Sequence, residues 1–216
     1  MTASPAAGPA GPVATITPMW EERYSNHDDY LFGRASANVL RDNPWITDGA
    51  KTALCGADGE GRNSVFLAEQ GIAVSSFDLS PTAIERTRSL ATESGVSVDA
   101  NVSQWEDWDW SRSFDLVVAI FVQFAGPDFR PQQFENLRSA TRPGGRLVLH
   151  GFTTKQLEYG TGGPPVVENL YTEELLRDAF GDWDIARLAS YEGEQTSGTA
   201  HVGNAALIDL VVDRPT

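Results

Sequence analysis

Thr52-Ala53-Leu54-Cys55-Gly56-Ala57-Asp58-Gly59-Glu60-Gly61-Arg62-Asn63 is a short apolar run that enters a turn containing three glycines. Residues 63–70 leave the turn with helical character and Gly71 stops them, so the stretch predicts a strand, a glycine-rich turn and a helix. Without a Cβ the backbone of such a turn takes positive φ and comes close to a bound ligand. The helix behind it aims unsatisfied N–H groups and the positive end of its dipole at that ligand. Asp78 stands nineteen residues beyond Gly59, at the end of a second apolar run over residues 71–77. An acid at that distance, at the tip of the next strand, is placed to hold a ribose through its hydroxyls. The dinucleotide signature G-x-G-x-x-G is incomplete, because Ser64 stands where its last glycine belongs, and no Lys-Ser/Thr pair follows the turn as a P-loop requires. The turn suits a nucleoside without a chain of phosphates.

A chain of 216 residues is long enough for one domain with a sizeable core. Its formal charge of −14, unbroken by any run of Lys or Arg, opposes a nucleic-acid partner and an anionic membrane surface. Cys55 is the single cysteine, which rules out an intrachain disulfide and a cysteine-rich metal site; inside a predicted strand it is expected to be an inert core thiol. No segment reaches the roughly 18 apolar residues of a membrane span, and the N-terminus lacks the pattern of a secretory signal. A cytoplasmic protein is the default expectation. Residues 1–18 are rich in Ala, Pro, Gly and Thr and carry no charged side chain, so they are expected to be a disordered tail, with a single domain over residues 19–216.

Order is expected to begin at Met19-Trp20-Glu21-Glu22-Arg23-Tyr24, whose aromatics either plug the edge of the core or form a lid over the pocket. Residues 35–41 predict a helix ended near Asn43-Pro44. Ser80-Pro81 predicts a cap and first helical position, with Ala83, Ile84, Thr87, Leu90 and Ala91 inside and Gly95 as the stop. Residues 96–102 alternate like a strand. The run Gln104-Trp105-Glu106-Asp107-Trp108-Asp109-Trp110 predicts a turn whose indoles seal the rim of a sheet. Residues 114–121 are a buried central strand. Pro131 opens a helix with Phe134, Leu137 and Ala140 inward, and Arg142-Pro143-Gly144-Gly145 turns into a strand over residues 146–151. Strands and helices therefore alternate at βαβ spacing, which favours a parallel sheet covered on both faces. In the last third, Thr172 caps a helix, and strands over residues 183–191 and 205–212 are joined by a polar stretch too short for a crossover helix. They are expected to pair antiparallel.

Five phrases in this order, Trp20-Glu21-Glu22-Arg23-Tyr24, Gly59-Glu60-Gly61-Arg62-Asn63, Phe77-Asp78-Leu79-Ser80, Arg142-Pro143-Gly144-Gly145 and the stretch from Gln156 to Pro165, resemble the class I S-adenosylmethionine-dependent methyltransferases. Within them the likeness is to the tellurite-resistance and thiopurine methyltransferase-like group of small-molecule enzymes. The resemblance implies an α/β, doubly wound, seven-stranded and mostly parallel sheet with a C-terminal antiparallel hairpin, and S-adenosylmethionine as cofactor. Carried over by position, it implies cofactor contacts from Trp20, from Cys55, Gly56, Ala57, Asp58, Gly59, Gly61 and Asn63, from Asp78 and Leu79, from Asn101 and Val102 with Trp105 nearby, and from Ile120, with Phe121 near the sulfonium. The family commonly has an acid at the position of Cys55 and a glycine at that of Ala57, so Asp58 or a backbone carbonyl is the substitute candidate for the methionine amine.

A methyl sulfonium is already activated, so the enzyme's main task is to align the acceptor in a dry pocket, and positioning can remove roughly 7–11 kcal/mol of barrier. A base is needed only if the acceptor arrives protonated. Candidates for meeting the acceptor are Arg23, Tyr24, Tyr159 and His201; the alternatives are an Arg23 paired with a surface carboxylate and a Tyr159 that anchors its own loop. His150 is expected to be a satisfied core histidine and His27 a surface one. Residues 160–165 form a candidate substrate loop. Residues 119–122 lack the Asn/Asp-Pro-Pro-Tyr run of adenine and glutamine N-methyltransferases, which favours a small acceptor: a thiol, a chalcogen oxyanion or another heteroatom nucleophile. A nicotinamide oxidoreductase using the same turn, and a non-catalytic cofactor-binding protein, are the alternatives.

Overall fold

The structure is a computed structural model that describes residues 12–216, except the side chains of residues 12–18, Ser197 and His201. Residues 1–11 of the expected tail lie outside the described residues. Helix α1 runs Pro12–Ser25, so helical structure starts before Met19; Pro12 opens it, at the end of a helix where a missing N–H breaks no bond.

The elements that follow are α2 (Asn38–Arg41), a 3₁₀ turn (Pro44–Thr47), β1 (Thr52–Gly56), α3 (Arg62–Glu69), β2 (Ala73–Asp78), α4 (Pro81–Glu93), β3 (Val98–Val102), β4 (Phe114–Ile120) and α5 (Arg130–Ala140). Then come β5 (Thr141–Phe152), α6 (Gln156–Tyr159), a second 3₁₀ turn (Val167–Asn169), α7 (Glu173–Phe180), β6 (Asp184–Ser197) and β7 (His201–Asp213). One seven-stranded sheet has the order β3-β2-β1-β4-β5-β7-β6. Its first five strands are parallel, and β7 enters antiparallel between β5 and β6.

Both faces are covered. Phe134 and Leu137 of α5 with Leu176 and Phe180 of α7 pack on Leu54, Val117, Leu147 and Leu210. Val39 and Leu40 of α2, Ile46 of the 3₁₀ turn and Leu67 of α3 pack on Ala53, Leu116, Val118 and Val148 of the other face. This double cover is why the central strands are apolar on both sides. The predicted caps form: the Ser80 and Thr172 hydroxyls accept the Ala83 and Leu175 N–H groups. The indoles of Trp105 and Trp108 bury against Phe77 as the rim seal.

Three boundaries after α1 differ from the sequence expectation. Strand β5 begins at Thr141 and takes in residues 142–145, which were expected to form a turn. The helix expected over residues 35–41 covers only α2. The polar stretch over residues 192–203 is paired strand almost to its tip, down to Ser197 opposite His201. Exposed Glu192, Glu194 and Thr196 alternate there with half-buried Gly193 and Gln195, a period of two that apolar content cannot reveal. The tip is held from outside the sheet: the N–H groups of Thr199 and Ala200 donate to the Leu31 carbonyl at 2.9 and 3.2 Å. No helix among the described residues is long and apolar enough to cross a membrane.

Candidate active site

At the carboxyl ends of the strands, where the order reverses between β1 and β4, lies a cavity of about 480 Å³. Open parallel sheets bind their ligands at this place. Its walls come from α1, the β1–α3 turn, the tips of β2 and β4, the segments after β3 and β5, and the hairpin tip.

The glycine turn has the backbone geometry its sequence requires. Gly59 and Gly61 take φ of +63° and +85°, and Ala57 takes +49° despite its Cβ. A Cβ on Gly59 would sit 2.7 Å from the Tyr24 hydroxyl, and one on Gly61 would meet Thr87 at 2.5 Å. These glycines let α1 close over the turn and α4 lie against it. The Thr87 hydroxyl completes the packing by donating to the Gly59 carbonyl at 3.1 Å. The start of α3 is not free for an anion as the sequence suggests. Asp58 accepts the Ser64 N–H and the Asn63 amide, both at 3.2 Å, so a carboxylate of the chain itself occupies that position.

Asp78 is buried and accepts the N–H groups of Gly59 at 2.9 Å and Ser80 at 3.0 Å. Burial nevertheless pushes its carboxyl up to about 6, with the charges of Asp58 and Glu60 adding to the shift. Asp58 is also raised to about 6, again chiefly by burial. Two carboxyls raised by desolvation on one cavity wall are short of hydrogen-bond donors or of positive charge. Sugar hydroxyls would supply the first and an ammonium the second. The Gly59 cradle and these two acids therefore fit a nucleoside that carries an amino acid.

Trp20 and Tyr24, read from the sequence as either a plug or a lid, do two things here: Tyr24 packs with Leu31 and Ala83, and both rings line the cavity. Trp20, Tyr24 and Phe32 form an aromatic trio with ring centroids 5.8–6.3 Å apart, and all three line the cavity. Glu21 anchors this segment by accepting the Ser80 hydroxyl at 2.5 Å and the Thr82 hydroxyl at 2.6 Å. Arg23 lies over the Trp20 ring at 4.5 Å and also lines the cavity. Burial, then the Asp78 charge, raises the Tyr24 hydroxyl well above its usual range, so it stays protonated at neutral pH.

The far wall is aromatic. Phe121 has φ of +57°, donates its N–H to the His150 carbonyl at 2.8 Å and packs on Phe152 at 4.6 Å. Phe124, Gly162, Gly163, Pro164 and Pro165 complete this side, which bears out the loop after β5 as part of the cavity. Gln123 lines it too, but its amide is spent on the Phe152 backbone, donating to the carbonyl at 2.8 Å and accepting the N–H at 2.6 Å.

The structure brings together Arg23 and Tyr24 with Trp20, Ala57, Asp58, Gly59, Asn63, Asp78, Leu79 and Ile120 of the expected residues. Six others stand apart. Cys55 is buried among Ala53, Leu116 and Val118 in the core. Gly56 packs beneath Trp105 and Phe77, and Gly61 against Thr87, so both shape the turn from behind. Asn101 gives its amide to Asp99, and Val102 is half exposed to solvent. The cavity is met one step later, by Ser103 and Trp105, because a strand's side chains alternate between faces and only the segment beyond β3 turns inward. Tyr159 donates to Glu192 outside the cavity and anchors its loop. His201 begins β7, and its side chain lies outside the described residues. His150 is satisfied at 2.7 Å by Asp209, which Arg187 and Tyr191 also hold. His27 pairs with the Thr199 hydroxyl at 2.9 Å. Sequence reasoning missed Phe32, Phe124 and Phe152, apolar residues with no motif to mark them.

This sheet with its antiparallel end is the α/β methyltransferase fold. A protein solved in work on the conversion of a disulfide bond into a thioacetal group during echinomycin biosynthesis shares it with a TM-score of 0.77, at 19% identity over 93% of this chain and 92% of that one. Magnesium protoporphyrin IX methyltransferase of Synechocystis, with bound SAM, superposes at 0.70, with 15% identity over 97% of this chain and 100% of that one. TehB of Haemophilus influenzae superposes at 0.65, with 17% identity over 90% of this chain and 67% of that one.

In sequence, residues 54–145 match the family model described as a methyltransferase domain, which implies S-adenosylmethionine as the cofactor. The matched segment carries β1 to the beginning of β5, and with them both cavity acids. Hemagglutinin 1 of Eikenella corrodens is 29% identical over 153 residues, 68% of this chain; the match covers 47% of that relative's length.

Proposed function

We propose that the protein is an S-adenosylmethionine-dependent methyltransferase that acts on a small-molecule heteroatom nucleophile by in-line methyl transfer. The observation that carries this reading is the continuity of one cavity from Asp58 and Asp78 to the wall of Phe121, Phe124 and Phe152. Asp78 would accept the ribose hydroxyls, Asp58 would face the methionine ammonium, and Leu79, Ser103 and Trp105 would flank the base. Bound there, the cofactor supplies a methyl group already activated as a sulfonium. Trp20, Tyr24 and Phe32 close the cofactor end and exclude water, while Phe121 and Phe152 hold the acceptor against it.

The acceptor end, from Phe121 and Gln123 to Asn169, is lined without an ionisable side chain among the described residues. The guanidiniums on the cavity wall stand at the cofactor end, Arg23 over Trp20 and Arg62 with the Phe32 carbonyl at 3.0 Å. An apolar acceptor, a thiol or a neutral heteroatom, suits this wall better than a chalcogen oxyanion. With no base at that end among the described residues, the acceptor is expected to arrive with a free lone pair. Thiols ionised at neutral pH react fastest, and a series of aromatic thiols should track thiolate fraction.

The test is calorimetric titration with S-adenosylhomocysteine and NAD in parallel, followed by a panel of apolar thiols, amines and oxyanions with labelled S-adenosylmethionine. Micromolar binding of S-adenosylhomocysteine alone, with methyl transfer to apolar thiols, is expected. Binding of NAD instead, or tight cofactor binding with no transfer across the panel, would overturn the reading.

A further inference from the structure

A second, smaller cavity of about 210 Å³ lies between residues 35–41, the start of α3 and the outer half of β6. Its polar wall comprises Ser36, Asn38, Arg41, Arg62, Gln195 and Thr196. Arg41 donates to the Ser36 carbonyl and, at 2.5 Å, to the Asn38 side-chain oxygen, while Arg62 donates to the Phe32 carbonyl at 3.0 Å. All three acceptors are neutral, and neither guanidinium is in an ion pair among the described residues. Arg62 is buried, and desolvation lowers its affinity for its proton; the Asp58 charge opposes this and the Arg41 charge adds to it. The hydroxyl of Ser36, a residue only 4% exposed, has no partner. A buried hydroxyl left without a bond and two guanidiniums outside any ion pair, on one cavity wall, are the complement of an anion rich in acceptor oxygens.

We propose that this cavity binds a small tetrahedral oxyanion, free phosphate or the phosphate group of a small monoester, through Arg41, Arg62 and the Ser36 hydroxyl. Three donors from two chain segments suit a tetrahedral acceptor better than a flat carboxylate. The net charge of −14 repels anions at long range, so binding relies on these short contacts, and added salt weakens it. Arg62 lines both cavities, and the Phe32 residue it holds lines the larger one. Occupancy of the two cavities is thereby linked, and linkage is reciprocal.

The experiment is calorimetric titration of the full chain with inorganic phosphate, methyl phosphate and acetate at constant ionic strength, for wild type, Arg41→Gln and Ser36→Ala. Ser36→Ala keeps the backbone carbonyl that Arg41 holds, so it tests the hydroxyl even if Arg41→Gln fails to fold. One phosphate per chain is expected, weakened about tenfold or more by Arg41→Gln and roughly three- to tenfold by Ser36→Ala. Tighter binding of methyl phosphate than of inorganic phosphate would assign the site to a monoester, and the reverse to the free ion. Acetate binding as tightly as phosphate, or phosphate binding unchanged in both variants, would overturn the proposal. S-adenosylhomocysteine affinity measured with and without saturating phosphate should differ in wild type, and an unchanged value would overturn the linkage.

Discussion

The two ends of the large cavity are built on opposite principles. The end over β1, β2 and β3 is made of backbone N–H groups, two desolvated carboxyls and glycines whose missing Cβ atoms let α1 and α4 close in. The end over β4 and β5 is made of aromatic rings and prolines, with a buried glutamine spent on pinning Phe152. One end selects by hydrogen bonds and charge, where a missing partner is costly; the other selects by shape, where a changed contact costs little. A fixed cofactor and a variable acceptor call for this division.

The comparison breaks most directly at Asp78. Asp78→Ala removes the acceptor of two backbone N–H groups and, under the proposed function, of the ribose hydroxyls, and S-adenosylhomocysteine affinity should fall about 100-fold or more. Calorimetric affinity close to wild type would show that the polar end does not select through this acid. Gly59→Ala comes next. A Cβ 2.7 Å from the Tyr24 hydroxyl at φ of +63° should lower the melting temperature and weaken the cofactor about tenfold. Tyr24→Phe in the same chain should restore part of the loss, because it removes the atom the Cβ meets.

The aromatic end is sharpened by Phe121→Asn, since Asn tolerates the left-handed backbone while the ring is lost. Turnover of an apolar thiol should fall about tenfold with S-adenosylhomocysteine affinity held within about twofold. Equal losses in both would merge the two ends into one.

A pH series gives a smaller effect. Asp58 and Asp78 rise from 3.8 to about 6 in the folded protein, so the apo fold takes up their protons more readily than the unfolded chain. Their contribution to stability is full below 3.8 and is lost as pH rises through about 6. A cationic ligand favours the ionised pair, so cofactor binding should weaken below pH 6 and should release protons there. Calorimetry at pH 6 in buffers of different ionisation enthalpy reads that release directly. The smallest effect is expected from Tyr159→Phe, which lies outside the cavity and should leave both binding and turnover within about twofold.

The same division governs what could be read in advance. Asp78 was legible because a ribose-binding acid must stand at a strand tip a fixed distance beyond a glycine turn, and Gly59 because only glycine tolerates that φ against a packed hydroxyl. Caps, strand alternation and the terminal hairpin were legible for a like reason: each is a local requirement of backbone hydrogen bonding. Asn101 and Val102 were misplaced because the third strand's residues line up along one sequence run, while only the segment after it turns toward the ligand. Tyr159 has the chemistry of a site residue but spends it on Glu192.

From the sequence alone follow the alternation of elements, the nucleoside turn with its acid and the family resemblance, all carried by residues near one another in the chain. Tertiary structure alone decided that Phe32, Phe121, Phe152 and Pro164 line one cavity, that Asp58 occupies the start of α3, and that Arg41 and Arg62 face one cavity. These arrangements join segments far apart in the chain through packing that is neither periodic nor short-range, so no stretch of sequence contains them.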